Sequence, residues 1–300
     1  MSDEIIAPQL IDETQTKTHE SNVAMSLLAG TCGGIAQVLT GQPFDTTKVR
    51  LQTSTDPNTS AIKVVKDLIK NEGFKGFYKG TLTPLIGVGA CVSVQFGVNE
   101  AMKSYFQKGD ASKTLTLPQY FACGAAAGFA NAPLASPIEH IRIRLQVEKS
   151  ATANNGPLQV ISKLRKHNAL MRGLVPTMLR DGAGVGMYFA VYEGLVAKEL
   201  NSHPGMRRSD IAAWKLCSFG GFSGCMLWMF VYPIDVAKSV FQTSNLATEK
   251  NLTTRRVLQN LYAKNGLKGL TRGFGPTLIR AAPANAATFL AFEATMRLLA

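Results

Sequence analysis

Charged residues are scarce in this chain of 300 amino acids. Asp, Glu, Lys and Arg together make up 17% of the sequence, whereas an average soluble domain carries about 25%. The scarcity is concentrated, because four segments contain no charged side chain at all: residues 21–44, 81–99, 114–138 and 216–234. Each segment is long enough for the ~20 residues of a helix that crosses a bilayer. The pattern therefore favours a membrane protein.

Two further apolar segments, 182–192 and 281–292, are too short to cross a bilayer by themselves. Extending them to 173–196 and 273–296 gives full spans, but these then contain charged residues. The alternative is four spans and two buried helices of a soluble part. The internal repeat described below favours six spans. The charged residues inside the two extended spans are Arg180, Asp181, Glu193, Arg280 and Glu293.

Cysteine is also scarce, and none of the five residues forms a CxxC pair. This spacing argues against a disulfide framework or a zinc site. Since all five lie in apolar stretches, we expect reduced, buried thiols. No HExxH motif, Ser/His/Asp constellation or metal-ligand spacing is present, so we predict neither an enzyme nor a cofactor. The cysteines are Cys32, Cys91, Cys123, Cys217 and Cys225.

The net charge is +12, from 32 basic and 20 acidic residues. Most of it lies in segments 53–79, 147–172 and 243–272, which together carry +11. Residues 1–22 carry −4, and we expect a disordered acidic tail there with no cleavable presequence. The asymmetry predicts both termini on one face of a membrane and the basic segments on the other. Nucleic acid is not needed to explain the charge.

One pattern occurs three times along the chain. A Pro-x-acid-x-x-base motif begins at Pro43, Pro137 and Pro233, at intervals of 94 and 96 residues. A GxxxG pair begins 13 residues before each proline, a glutamine follows four residues after each base, and a basic-Gly pair precedes the next apolar span. Three copies in phase are not accidental. They divide the chain into repeats at 23–106, 114–200 and 211–299.

These motifs resemble the signature of the mitochondrial carrier family. The resemblance implies an all-α membrane protein with six transmembrane helices in three pseudosymmetric repeats, each with a short amphipathic helix on the matrix side. It also implies the inner membrane, termini in the intermembrane space, cardiolipin at the matrix-side helix ends and a monomer. Two repeats depart from the signature, with His167-Asn168 and Asn265-Gly266 where an acidic-Gly pair is expected.

The motif acids and bases predict a ring of ion pairs. Ionisable residues in a membrane span are expensive unless paired, and around a threefold axis one repeat's base can reach the next repeat's acid. The pairs would be Lys48–Glu139, Arg142–Asp235 and Lys238–Asp45, braced by the glutamines. Pairing within each helix is the alternative, but three complementary copies favour the ring. We predict a matrix-side gate made of Asp45, Lys48, Gln52, Glu139, Arg142, Gln146, Asp235, Lys238 and Gln242.

A thinner gate is predicted at the opposite end. The carrier pattern there is aromatic-acid-x-x-base, and this chain keeps three acids but one base, so a single pair, Lys103–Glu193, would form. Such a gate would open more easily and would permit uniport or proton symport besides exchange. The residues of this predicted cytosolic gate are Glu100, Lys103, Glu193 and Glu293.

Three charges inside the spans lie away from both gates and are candidates for substrate binding. Arg180 and Arg280 each precede the gate glutamate of their span by 13 residues, and Asp181 follows Arg180. Two arginines and one carboxylate suit a monoanionic amino acid such as glutamate. A zwitterion such as glycine or carnitine fits less fully. In the second span the same level holds Gly87 and Val88, and Val92 and Gln95 line the wall one and two turns further on.

The predicted function is transport of a small amino acid by alternating access, with glutamate favoured and a proton as a candidate co-substrate. The chain is similar to a fungal subgroup near the ornithine and carnitine/acylcarnitine carriers, so basic amino acids and carnitine remain alternatives. So does a carrier that has lost transport. Arg180 and Asp181 could also neutralise each other, with Arg280 as a structural anchor. Trp228 and Tyr232 could face either the cavity or the lipid interface.

Overall fold

The computed structural model describes residues 23–54, 56, 59–108, 115–147, 156–203, 210–246 and 252–299. The fold is all-α, as predicted. The acidic tail, residues 1–22, lies outside the described residues. The helices are α1 (Val23–Thr53), α2 (Ala61–Glu72), α3 (Leu82–Gln107), α4 (Leu117–Val147), α5 (Pro157–Lys166), α6 (Leu174–Ser202), α7 (Ala213–Thr243), α8 (Thr254–Leu270) and α9 (Phe274–Leu299), with a 3₁₀ helix at Phe74–Tyr78.

The six long helices form a closed bundle. Helices α1, α4 and α7 have 31 residues each and contain the motif prolines, and each is followed by a short helix and then a second long one. Helix α3 packs on α4, α6 on α7, and α9 returns to α1. The described chain starts and stops at one end of the bundle, here named the terminal end. The short helices α2, α5 and α8 lie at the other, the connecting-helix end.

The short helices are held by a few apolar side chains. Helix α2 buries Val64 and Leu68, and α5 buries Val160 and Leu164, each pair one turn apart on one face. In α8 the buried apolar residue is Val257. The remaining faces are mostly polar and exposed. A residue with positive φ then ends or breaks each helix: Gly73, Asn168 and Gly266.

The GxxxG pairs do not act alike in the three repeats. In repeat 2, α4 lies so close to α6 that a Cβ on Gly124 would be 2.7 Å from the Val185 carbonyl oxygen. The equivalent Gly30 of repeat 1 has no such neighbour within 4 Å. Small residues allow this kind of close approach between membrane helices. The GxxxG pair therefore joins helices tightly in repeat 2.

The bundle exposes many large apolar side chains and buries many polar ones. Large apolar side chains such as Ile35, Phe222, Met229 and Phe230 are exposed, while Gln37 and many other polar groups are buried. This inversion is expected when hydrocarbon surrounds the protein. By length and hydropathy, two segments of the described chain qualify as membrane spans, Phe74–Gln107 and Trp214–Thr243.

The cysteines correct one prediction. Four of them, Cys32, Cys91, Cys123 and Cys225, are free thiols in the described structure, and the side chain of Cys217 lies outside the described part. Cys91 and Cys123 are buried, but Cys32 and Cys225 are exposed on the bundle, so the prediction of burial is wrong for these two. An apolar stretch faces either protein or lipid, and the sequence does not say which.

Candidate functional site

Six charged side chains form a ring across the three motif helices. Lys48 Nζ lies 2.9 Å from Asp235 Oδ2, and Arg142 Nη2 lies 2.7 Å from Asp45 Oδ2. Lys238 Nζ contacts Glu139 Oε2. The pairs join different repeats and are mostly buried. We call these six residues the charge ring.

The ring runs in the sense opposite to the predicted one. Each base meets the acid of the preceding repeat, so the predicted pairs Lys48–Glu139, Arg142–Asp235 and Lys238–Asp45 are wrong. Three residues along an α-helix correspond to a rotation of about 300°, so the acid and the base of one motif point in directions about 60° apart. Each of the two therefore faces a different neighbouring helix. The motif spacing does not say which neighbour lies on which side. The order of the helices around the bundle decides that.

One of the three glutamines braces an ion pair. Gln52 Nε2 donates to Asp235 Oδ2 at 3.3 Å, beside Lys48. Gln146 Nε2 instead donates to Thr46 Oγ1 at 3.4 Å, and Gln242 Nε2 donates to the Arg172 carbonyl at 3.3 Å. The prediction that each glutamine braces an ion pair of the ring is therefore wrong for Gln146 and Gln242.

Two aromatic side chains lie beneath Lys48. Its Nζ is 4.3 Å from the ring centroid of Trp228 and 5.5 Å from that of Tyr232, and both aromatic residues are buried. A cation over an aromatic face is attracted by the ring quadrupole. Trp228 and Tyr232 precede the ring acid Asp235 by seven and three residues, which places all three on one helix face. This helical spacing from a ring acid is the sequence signal that assigns Trp228 and Tyr232 to the interior.

The predicted substrate arginines lie against the ring carboxylates. Arg180 Nη2 is 2.8 Å from Glu139 Oε1 and its Nη1 is 3.3 Å from Asp235 Oδ1. Its Nε donates to Asp181 Oδ1 at 2.7 Å. This last contact is the Arg180–Asp181 pair considered above as an alternative. The Arg180 guanidinium therefore contacts three carboxylates at once.

Arg280 makes the matching contact in repeat 3, with its Nε 3.1 Å from Asp45 Oδ1. It lies across α1 at Gly41, where a Cβ would be 2.6 Å from Arg280 Nε. Both arginines and Asp181 are at least 95% buried. With the charge ring they make five cations and four carboxylates, an excess of one positive charge. Such a group suits an anion or a zwitterion that presents its carboxylate to an arginine.

The four candidates on α3 have different surroundings. Gly87 leaves room for Ile138 of α4, and Val88 lies near Gly34 of α1. Val92 packs on the cluster of Cys91 and Ala135. Gln95 is fully buried, and its Nε2 has no hydrogen-bond partner within the described structure. Of the four, Gln95 offers a polar group for a ligand.

At the terminal end, two of the gate glutamates, Glu100 and Glu293, pair within their own helices. Lys103 Nζ is 2.9 Å from Glu100 Oε1, so the predicted Lys103–Glu193 pair is wrong. Glu293 Oε1 is 2.9 Å from Arg297 Nε. Sequence reasoning missed Arg297 because it follows the acid by four residues, whereas the motif has three. Glu193 is buried.

The fold and the ring agree with what comparison of the sequence shows. The family model described as "Mitochondrial carrier protein" matches residues 19–110, 113–201 and 209–300. The chain belongs to the mitochondrial carrier family. It is therefore a transporter of the mitochondrial inner membrane for a small molecule and not an enzyme.

Three similar proteins come from yeasts. The mitochondrial glycine transporter YMC1 of Saccharomyces cerevisiae is 58% identical, with all of both chains covered. The mitochondrial carrier protein YMC2 of the same organism is 51% identical, covering 100% of this chain and 99% of its own. The glutamate/glycine mitochondrial carrier ymc1 of Schizosaccharomyces pombe is 43% identical, covering 91% of this chain and 94% of its own.

Proposed function

We propose that this carrier transports a small amino acid, glutamate or glycine, by alternating access. The observation that supports this most is the pair of buried arginines on α6 and α9, each held against a carboxylate. A substrate carboxylate would take the place of a ring carboxylate on Arg180 or Arg280. The ammonium group of the substrate would bind Asp181, beside Arg180.

The one excess positive charge of the site affects how well glutamate and glycine would each fit it. Glutamate, with one net negative charge and two carboxylates, would use both arginines and offset the excess positive charge. Glycine would use one arginine and Asp181. The names of two relatives include glycine, and one of them also includes glutamate. Both amino acids are therefore proposed, with Arg280 binding the carboxylate that glycine lacks.

Substrate binding and gate opening would be linked through the arginines. Arg180 contacts Glu139 and Asp235, which are also partners of Lys238 and Lys48. When a substrate carboxylate replaces these contacts, the ring loses part of its stabilisation and its helices can separate. With the ring paired as it is in the structure, the connecting-helix end would be closed and substrate would enter from the terminal end.

The orientation follows from the charge of the loops. The connecting-helix end carries the basic segments and would face the matrix, with both termini in the intermembrane space. Lipid would surround the exposed apolar faces, with cardiolipin at the matrix-side helix ends. A single chain contains all three repeats, and we propose that the monomer is the transporting unit.

The terminal-end gate, paired within helices, would allow uniport or proton symport as well as exchange, with Asp181 as the titrating group.

Uptake into liposomes tests the proposal. Purified carrier should take up radiolabelled glutamate and glycine, and Arg280→Gln should lower glutamate uptake at least tenfold, since about 1.4 kcal/mol of lost binding is a factor of ten. Glycine uptake should fall less. Arg255→Gln is the control, because Arg255 is an exposed arginine of α8 outside the proposed site and both gates. Uptake of carnitine or ornithine without uptake of glutamate or glycine would overturn the substrate assignment. No uptake of any of these compounds would favour a carrier that has lost transport.

A further inference from the structure

Each connecting helix covers one or two cavities, and the lining of these cavities differs in charge among the three repeats. The cavity below α2 has a volume of 480 Å³, and the one below α8 has 360 Å³. Beneath α5 lie two adjoining cavities of 190 and 370 Å³ that share Arg144 and Lys163. Their charged lining residues are Arg50, Asp56, Lys63, Asp67 and Glu72 below α2, Lys264 below α8, and Arg144 and Lys163 with His167 below α5.

Repeat 1 shows which group pairs with the cations beside such a cavity. Glu72 accepts hydrogen bonds from Arg50 Nη1 at 2.6 Å and Nη2 at 2.9 Å, and lies 2.7 Å from Lys79 Nζ. Burial alone would raise the pKa of the Glu72 carboxyl, but the hydrogen bonds from Arg50 and Lys79 outweigh it and hold that pKa below its usual range. The carboxylate thus joins the end of α1 to α2 and to the start of α3.

Repeat 2 keeps the two cations but replaces the carboxylate. Arg144 follows its motif proline by seven residues, as Arg50 does, and Arg172 precedes Gly173 as Lys79 precedes Gly80. The residue before the positive-φ position is Glu72 in repeat 1, His167 in repeat 2 and Asn265 in repeat 3. In repeat 3 the first cation is also replaced, by Val240. Repeat 2 therefore keeps cations at both positions that bind Glu72 in repeat 1, although it lacks the acid.

The two arginines of repeat 2 meet at α7. Arg144 Nη2 donates to the Ser244 carbonyl at 3.0 Å, and Arg172 Nη2 donates to Ser244 Oγ at 2.7 Å. Lys163 and His167 approach the same cavity from α5. The guanidinium of Arg144 on α4 and the ammonium of Lys163 on α5 line this cavity and match the oxygens of a phosphate group.

We propose that the cavity beneath α5 binds a small soluble phosphate anion in the place that Glu72 occupies in repeat 1. The anion joins the ends of α4 and α7 to α5. Since α4 and α7 carry the Glu139–Lys238 pair, the bound anion stabilises the closed connecting-helix end and slows its opening. The site is separate from the proposed amino-acid site, so its test does not depend on which substrate the carrier moves.

Thermal unfolding of the purified full-length carrier in detergent tests this. Inorganic phosphate should raise the Tm by about 2–4 °C relative to chloride at equal ionic strength. Lys163→Gln should abolish most of the shift. His167→Glu, which installs the carboxylate of repeat 1, should raise the Tm without phosphate and remove the response to it. Lys166→Gln is the control, because Lys166 is exposed on the same helix and does not line the cavity.

An equal phosphate response in the wild type and in Lys163→Gln would overturn the proposal, whether or not His167→Glu folds. A second arm replaces phosphate with cardiolipin. A response to cardiolipin with none to inorganic phosphate would assign the phosphate group to the lipid and would also overturn binding of a soluble anion. Loss of the phosphate response in Lys163→Gln, with the response kept in Lys166→Gln, supports the site.

Discussion

At the scale of single residues, the ring depends on side chains outside the repeated motif. The motif supplies the acids and bases, and their identities can be predicted from the sequence. Lys48, however, also lies on the buried rings of Trp228 and Tyr232, which occur in one repeat. The apolar character of the helix does not predict burial of these aromatic residues, because such a helix presents aromatic side chains to lipid as readily as to the interior; their spacing from Asp235 does.

Trp228 and Lys48 should therefore be energetically coupled. In a double-mutant cycle of Trp228→Leu and Lys48→Gln, the coupling energy should be about 0.5–2 kcal/mol, the range of a desolvated cation–π contact. Unfolding free energies of the purified carrier give the value. Trp214→Leu combined with Lys48→Gln is the control, because Trp214 is exposed and should show no coupling. Additive effects of Trp228→Leu and Lys48→Gln would contradict the contact.

At the scale of helices, equivalent positions of the repeats have different roles. The GxxxG pair occurs in all three repeats, but Gly124 is in close contact with α6 while Gly30 has open space. A GxxxG pattern indicates that two helices can approach closely, and the packing of the whole helices decides where they do so. The connecting helices differ in the same way, with a buried clamp at Glu72 in repeat 1.

The two glycines should respond oppositely to alanine. Gly124→Ala should destabilise the carrier by about 1–3 kcal/mol because its Cβ would collide with the Val185 carbonyl. Gly30→Ala should be neutral or stabilising by up to about 1 kcal/mol, since alanine is the better helix former. Thermal unfolding of both variants checks this. Equal destabilisation would mean that α1 and α4 pack alike.

Glu72 should make stability depend on acid pH. Its lowered pKa means that the carboxylate stabilises the fold at neutral pH, and that this contribution is lost as the pH falls below about 4.5, the ordinary value, through the lowered pKa. Glu72→Gln should cost about 3 kcal/mol at neutral pH, because it leaves Arg50 and Lys79 facing an uncharged group.

The measurement is the unfolding midpoint between neutral and acid pH. The difference between the wild type and Glu72→Gln should shrink as the pH falls. Glu100→Gln is the control, because Glu100 is exposed and pairs within its own helix. A difference that stays constant with pH would contradict the role of the ionised carboxylate.

At the scale of the whole molecule, the repeat predicts the architecture but not the sense of the ring. Period, helix order and gate residues follow from the three motifs, as Asp45, Glu139 and Asp235 illustrate. Which base reaches which acid depends on the order of the helices around the bundle. Nor does the sequence reveal that Arg180 and Arg280, predicted as substrate ligands, also bind the ring carboxylates Asp235 and Asp45. Each of these two contacts joins two different repeats in space.

The central claim is that ring and substrate compete for the same arginines. The dissociation constants of glutamate and glycine for the purified Asp45→Asn variant test it most directly, with Asp56→Asn, an exposed loop carboxylate, as the control. Without the Asp45 carboxylate on Arg280, glutamate should bind about tenfold more tightly, a change of about 1.4 kcal/mol, and glycine less so. Unchanged or weaker glutamate binding would mean that Arg280 is a structural anchor of the bundle and would contradict the account.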